Sequence, residues 1–470
     1  MTAGPPASAA AGGDASPHPL LARAGTRWWN SDCAIGLAIL LALALLAAPE
    51  FPKWNADSVA YLAMARGHGA EVVLPYASRI LLPALARALS RIPGVDLDLA
   101  FALVSIAALV AWTAAIVHVA RASALAPGYA ALALLVSPPV LMAFEAATIP
   151  DMLTMACVAA ILWLLRRRWP LAAALVLAVS ILARETFLVL AAIAAALSLA
   201  RRDVRTARPI LVGGALGFAA MTHFTAGHAN IHDMPSFVYV LLKVPIRFVM
   251  NVLGVGIWTD AFKWCQAPVL TVGVPAWLDL GRTHRVGLCA FDPGLPLFVL
   301  SSVATLFGIL PAVLTALLAG RFRAVLSRLE GWCLIAFWYG ALMTLLGTMV
   351  GASIDRLVSY GWPLFLLALA ALADAAPDWP KRLVAWLVVL NLAVYWLPYY
   401  VVLYTGALAE RLGLDYYAAT HVTYAFSALV GGVGNVLAYR LVRPHRMALL
   451  PARPSTPSFA GPNDATSERG

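Results

Sequence analysis

Long apolar stretches alternate with short polar ones along most of this chain, on a length scale set by a bilayer rather than by a soluble core. Apolar runs lie near 33–49, 98–120, 127–147, 151–165, 170–183, 186–200, 209–226, 293–319, 331–352, 357–375, 383–404 and 421–440. Most are about as long as a helix needs to cross the hydrocarbon core. Backbone in lipid must satisfy its own hydrogen bonds, so the pattern predicts helices. The expected fold class is all-α: a polytopic transmembrane helical bundle of about 12 spans, within a range of roughly 10–13. One membrane domain, 31–441, is expected between two disordered ends, 1–30 and 442–470, rich in Ala, Gly, Pro and Ser. The first run, from Cys33, reads as a retained signal anchor.

Charge fixes an orientation. Arg121, Arg166, Arg167, Arg168, Arg201, Arg202, Arg205, Arg208, Arg321, Arg323, Arg328, Lys381 and Arg382 fall in alternate short loops, as the positive-inside rule requires of cytoplasmic loops. The remaining short loops hold only Arg184, Arg356 and Arg411. Both termini are therefore expected in the cytoplasm. The 170–200 stretch must then be two short helices meeting at Ala183-Arg184-Glu185-Thr186, because one long helix would invert every later loop. Two outer segments, about 50–96 and 227–291, exceed what a connection needs. In the first, Ala56–Arg66 and Ser78–Arg91 read as helices. The second of these has Ile80, Leu81, Leu85 and Leu89 on one face, the pattern of an interfacial helix. Phe237–Trp258, interrupted by Lys243, Pro245 and Arg247, reads as interfacial or re-entrant, with a spanning hairpin as the alternative.

Composition agrees. The chain is 62% hydrophobic and 12% charged, with mean hydropathy +0.83. Soluble proteins carry roughly twice that share of charge. A net charge of +10 does not indicate nucleic acid, since the cations form short clusters between apolar runs and no basic, aromatic-interleaved face is present. Most of the 23 acidic residues fall on the outer side in this orientation.

Candidate chemistry lies in four stretches at outer helix ends, where an ion needs a partner or a purpose. In Asn55-Ala-Asp57-Ser58-Val-Ala-Tyr61-Leu62, Asp57 and Tyr61 are spaced to share a helix face. A carboxylate there could deprotonate a hydroxyl or hold a metal; equally, Asn55 or Asp57 could cap the helix. In Tyr76-Ala-Ser-Arg79-Ile-Leu-Leu-Pro83, Arg79 has the fork that suits a phosphate, or else snorkels from an interfacial helix. Asp151 and the neighbouring Arg184 and Glu185 form the third group; the last two could simply neutralise each other at a turn. The fourth is Ile354-Asp355-Arg356 followed by Tyr360, where Arg356 opposes the positive-inside trend and suits a phosphate.

Together these stretches resemble the GT-C superfamily of membrane glycosyltransferases, across about residues 30–400. The likeness is to bacterial members with an Asn-x-Asp-Ser-x-x-Tyr-Leu motif followed by Arg-x-Leu-x-Pro, here Arg79-Ile-Leu-Leu-Pro83. The resemblance implies a polyprenyl-phosphate sugar as donor and a glycan, lipid or protein hydroxyl as acceptor. It implies Asp57 as catalytic residue, Asp151 as its acidic assistant, and Arg356 on the lipid phosphate. Arg79, Arg184, Glu185 and Tyr61 would line the substrate site. Unlike some members, this chain lacks a second acidic residue beside Asp57; the resemblance leaves a divalent cation, magnesium or manganese, open as cofactor. The expected location is a bacterial inner membrane, with the site on the periplasmic or extracellular face.

Other residues add less. His223, His228, His232 and Asp233 open the second outer segment at spacings loose for zinc; His232 and Asp233 suit substrate contacts better. Cys265 and Cys289 share that segment and an oxidising compartment, so a disulfide is possible there. Two further function classes stand beside the enzyme: a transporter or flippase of lipid-linked sugars, which favours midplane charges and repeated halves, and a non-catalytic envelope-assembly protein, which would tolerate loss of Asp57.

Overall fold

The structure is a computed structural model that describes residues 51–54, 57–120, 138–228, 236–259, 265, 267–273, 285–350, 354–375 and 378–447. The first expected span, the expected disordered N-terminus 1–30, residues 448–470 of the expected disordered tail, and the candidates His232 and Asp233 lie outside those residues; the start of that tail, 442–445, is instead the end of the last helix and a 3-10 turn.

Helices dominate, and their bounds follow the apolar runs. Two short helices come first, α1 (Ser58–Arg66) and α2 (Leu81–Leu89). Then follow α3 (Leu97–Ala120), α4 (Pro138–Glu145), α5 (Asp151–Arg166), α6 (Pro170–Ile181), α7 (Phe187–Ala200), α8 (Val204–Thr225) and α9 (Ser236–Leu253). After a small sheet come α10 (Gly294–Phe307), α11 (Leu310–Leu318), α12 (Phe322–Arg328), α13 (Gly331–Val350), α14 (Ile354–Ser359), α15 (Trp362–Ala375), α16 (Lys381–Leu403), α17 (Thr405–Leu412) and α18 (Tyr416–Val442). Among the described residues, four helical stretches are long and apolar enough to cross a membrane: Leu97–Ile116, Gly331–Thr348, Lys381–Val402 and Tyr416–His445. The pair α10 and α11 counts as a fifth if taken as one broken span. These helices make the chain an integral membrane protein. Several other expected spans are shorter helices, such as α6 and α7.

The two ends of the bundle differ in charge. Arg166 at the end of α5 lies over the Trp332 ring, 5.7 Å from its centroid, and Arg201 after α7 donates to the Leu329 carbonyl at 3.0 Å. Both therefore meet the start of α13. Asp151, at the other end of α5, lies about 24 Å away along the helix axis. The α6–α7 break over 182–186 sits beside Asp151, so the two short helices run out and back as the charge pattern requires.

One expectation is corrected. The all-α class omits a three-stranded antiparallel sheet, order β1-β3-β2, built from β1 (Val255–Thr259), β2 (Leu270–Gly273) and β3 (Arg285–Phe291). Its short Val-, Thr- and aromatic-bearing segments suit a half-exposed pleated surface and carry no helical period. A bond between Cys265 and Cys289 closes this unit, with Cα atoms 6.0 Å apart. By loop-closure entropy such a link contributes about 3 kcal/mol. Thiol labelling is expected to reach both cysteines only after reduction. On α2, Leu82 and Ala86 face the protein and pack with Tyr61 and Phe101, while Leu85 of the expected apolar face points away from it. Burial follows contact with α1 and α3, which a single-helix periodicity does not contain.

The apolar run 293–319 is broken rather than continuous. α10 and α11 meet at 89°, at Gly308, whose φ is +55°. A break in an apolar bundle frees backbone groups that lipid cannot satisfy. Two asparagines satisfy them: Asn391 accepts from the Ile309 N–H at 3.0 Å, and Asn435 accepts from Ala312 N–H while donating to Gly308 O. A Cβ on Gly308 would stand 2.3 Å from Asn391 Oδ1. Gly308→Ala is expected to destabilise the protein by roughly 2 kcal/mol or more, read as a lowered thermal midpoint in detergent.

Without a hydrophobic drive between lipid-facing helices, close backbone approach does the packing. On α13, a Cβ at Gly347 would lie 2.5 Å from the Val358 nitrogen, and one at Gly340 2.4 Å from the Leu364 nitrogen. These two glycines let α14 and α15 lie directly on α13, and α14 carries Arg356.

Candidate functional site

Four of the expected residues converge at the acidic end of the bundle. Asp57 stands at the N-cap position of α1 but its side chain makes no capping hydrogen bond. Its carboxylate instead accepts from Arg356 Nη1 at 2.9 Å and from the Tyr76 hydroxyl at 3.1 Å. The Asp57–Arg356 pair joins positions 299 apart in sequence. The Asp57 carboxylate therefore turns to Arg356 and Tyr76 rather than to the start of its own helix. Burial, then the neighbouring Asp57 charge, push the Tyr76 phenol up, so it stays a proton donor to that carboxylate.

Asp151 is 2% exposed and has both oxygens occupied. Oδ2 accepts from Arg356 Nε at 2.7 Å; Oδ1 is bonded by Arg184 Nη1 and by the Tyr360 hydroxyl. The Arg184 guanidinium also lies over the Tyr360 ring, 4.7 Å from its centroid. Buried charges persist only when paired and hydrogen-bonded, and here two carboxylates face two guanidiniums. Arg356 is fixed on two edges, by Asp151 and Asp57, while its Nη2 has no partner among the described residues. Its side chain is 19% exposed, enough for a ligand oxygen to reach it.

Arg184 and Glu185 do not neutralise each other. Arg184 goes to Asp151, whereas Glu185 takes Arg79 in a fork, with Nη2 at 2.5 Å and Nε at 3.0 Å. Arg79 Nη1 also donates to the Tyr61 hydroxyl at 3.2 Å, so Tyr61 serves Arg79 rather than Asp57. Arg79 is 7% exposed and does not snorkel. A substrate phosphate would reach it only by displacing Glu185. Burial raises the Glu185 carboxyl, but Arg79 outweighs it and holds the group down at about 2. A lowered carboxyl stabilises the fold above its ordinary value and loses that effect as pH falls through the folded value. Wild type should therefore lose its stability advantage over Glu185→Gln between about pH 4.5 and about pH 2, measured as thermal midpoints along a pH series.

Tyr360 and Tyr76 are the members that sequence reasoning passed over. Tyr76 opens the Arg79 stretch and Tyr360 follows the Arg356 stretch, neither with an assigned role. The signal for both was proximity in sequence to a charged candidate. Ser58, beside Asp57, also pairs with Thr148 Oγ1 at 2.6 Å, tying α1 to the turn before Asp151.

Among the described residues no three His, Cys, Asp or Glu converge. Asp57 and Asp151 each face a guanidinium, which places positive charge where a cation would sit.

No protein-family model matches the chain, and no curated protein matches its sequence. Two solved structures align with its fold. One is ArnT from Cupriavidus metallidurans in the apo state, at 16% identity and a TM-score of 0.41, covering 87% of this chain and 76% of that one. The other is ArnT from Cupriavidus metallidurans bound to undecaprenyl phosphate, at 15% identity and a TM-score of 0.39, covering 88% and 78%. Likeness at this level assigns no function, and the side chains must do so.

Proposed function

We propose that this chain is a GT-C-type membrane glycosyltransferase that moves a sugar from a polyprenyl-phosphate donor to a hydroxyl acceptor on the non-cytoplasmic face. The observation that carries the proposal is the meeting of Asp57 with Arg356, itself held by Asp151, at the end of the bundle away from the arginine clusters. A carboxylate beside a half-open guanidinium supplies the two things such a transfer needs: a proton acceptor and a counter-charge for a phosphate leaving group.

The acceptor hydroxyl gives its proton to Asp57 as its oxygen attacks the anomeric carbon. The bond from that carbon to the donor phosphate breaks, and the electron pair leaves on polyprenyl phosphate. Arg356 meets the developing charge. Donor phosphate binding to Arg356 would compete with Asp57 for the same guanidinium, and so release the carboxylate to act as base. Asp151 and Arg184 position Arg356, and the Arg79–Glu185–Tyr61 cluster fixes the first outer segment against the α6–α7 turn. The acceptor is a glycan, lipid or protein hydroxyl.

The broken helix α10–α11 would be the natural feature for a transporter. Its freed backbone groups are satisfied internally by Asn391 and Asn435, which favours a structural role for the break.

The test is sugar transfer in membranes at matched protein levels, followed as released polyprenyl phosphate. Arg356→Ala should lower the rate by on the order of 10²-fold, and Arg356→Lys should recover only part of it, since a point charge does not reproduce the fork. Full transfer by Arg356→Ala would remove the phosphate-binding role.

A further inference from the structure

A cavity lined by arginines lies at the opposite end of the bundle from Asp57. It has a volume of about 930 Å³, and Arg321, Arg440, Arg443 and Arg446 line it, with Pro311 and Val436 on its apolar wall. The His445 ring lies 5.4 Å from Trp379, past the end of α15 whose start adjoins Tyr360. The length of α15, about 21 Å, therefore separates this cavity from the carboxylate–guanidinium site.

Three observations point to its ligand. First, no acidic residue is among its lining residues, and none of the four arginines is ion-paired among the described residues. Second, Arg321 Nη1 is buried without a hydrogen-bond partner. An unsatisfied guanidinium nitrogen is costly unless an oxygen ligand meets it. Third, Val433, Val436, Leu437 and Leu441 are exposed at helical spacing on α18 and lead into the arginines. A headgroup among the arginines would thus have its acyl chains against an apolar stripe of the same helix. A freely diffusing phosphate compound would leave that stripe unused.

We propose that this cavity is a binding site for the phosphate headgroup of an anionic phospholipid. Guanidiniums match phosphate oxygens in bidentate geometry, and four of them around one volume give selectivity over zwitterionic headgroups. The site is independent of the sugar-transfer proposal, because no residue of either lies in the other.

Native mass spectrometry of the delipidated full chain tests it, with phosphatidylglycerol and phosphatidylethanolamine offered separately and inorganic phosphate as a third arm. Wild type is expected to retain phosphatidylglycerol on the order of tenfold more tightly than phosphatidylethanolamine. The double variant Arg321→Gln with Arg443→Gln should lose that preference. Arg167→Gln with Arg168→Gln, basic but outside the cavity, should keep it. Should the double variant not fold, Arg446→Gln alone is expected to weaken the preference measurably. Equal retention of the two lipids by wild type overturns the proposal, as does equal loss in both double variants. Stabilisation by inorganic phosphate equal to that by phosphatidylglycerol overturns the lipid assignment.

Discussion

Asp57→Asn is expected to lower sugar transfer by about 10²- to 10⁴-fold while leaving the bundle folded, because a positioned general base contributes that much to proton removal. The amide keeps the side-chain shape and can still accept a hydrogen bond from Tyr76. It can no longer take a proton. Arg356 keeps its bond to Asp151, so the phosphate subsite should survive and donor binding should change far less than the rate. Initial rates of polyprenyl phosphate release, set against donor affinity of the same preparations, separate the two effects. A variant that turns over at the wild-type rate would exclude Asp57 as the base, whatever the fate of Arg356. Asp57→Glu should show partial activity, since the carboxylate survives but is displaced by one methylene.

Asp151→Asn should act differently, through stability first. Asp151 is buried and answers Arg184 and Arg356 together. Removing its charge leaves Arg184, 4% exposed, without a carboxylate among the described residues. Breaking a buried ion pair by deleting one partner costs about 3–5 kcal/mol. The expected outcome is a large fall in thermal midpoint, together with lost activity because Arg356 is no longer held. Arg184→Met in the Asp151→Asn background should restore part of the stability, since an apolar pair often replaces a buried ion pair at little cost. Activity should not return with it. That split between recovered fold and unrecovered transfer marks Asp151 as a positioning residue.

The candidate site was legible in the sequence only as a set of local anomalies. Arg356 stood out as a cation in an outer loop, and Asp57 as a carboxylate shortly after an apolar run. Neither fact says that the two touch. Their contact depends on Gly347 and Gly340 letting α14 and α15 lie on α13, and on Ser58 meeting Thr148. Arg79 shows the converse. Its motif suggests a phosphate, but Glu185 already occupies its fork, and only the folded α6–α7 turn supplies that partner.

What the sequence determined by itself was the helical elements, the break at 182–186 and the separation of charge between the two ends. These follow from transfer energies and backbone hydrogen bonding, which act on each segment locally. Only the tertiary structure decided which carboxylate meets which guanidinium, where the 293–319 run bends, and that β1, β2 and β3 pair as a sheet. Those outcomes depend on side chains that approach from distant parts of the chain, and no local period encodes them.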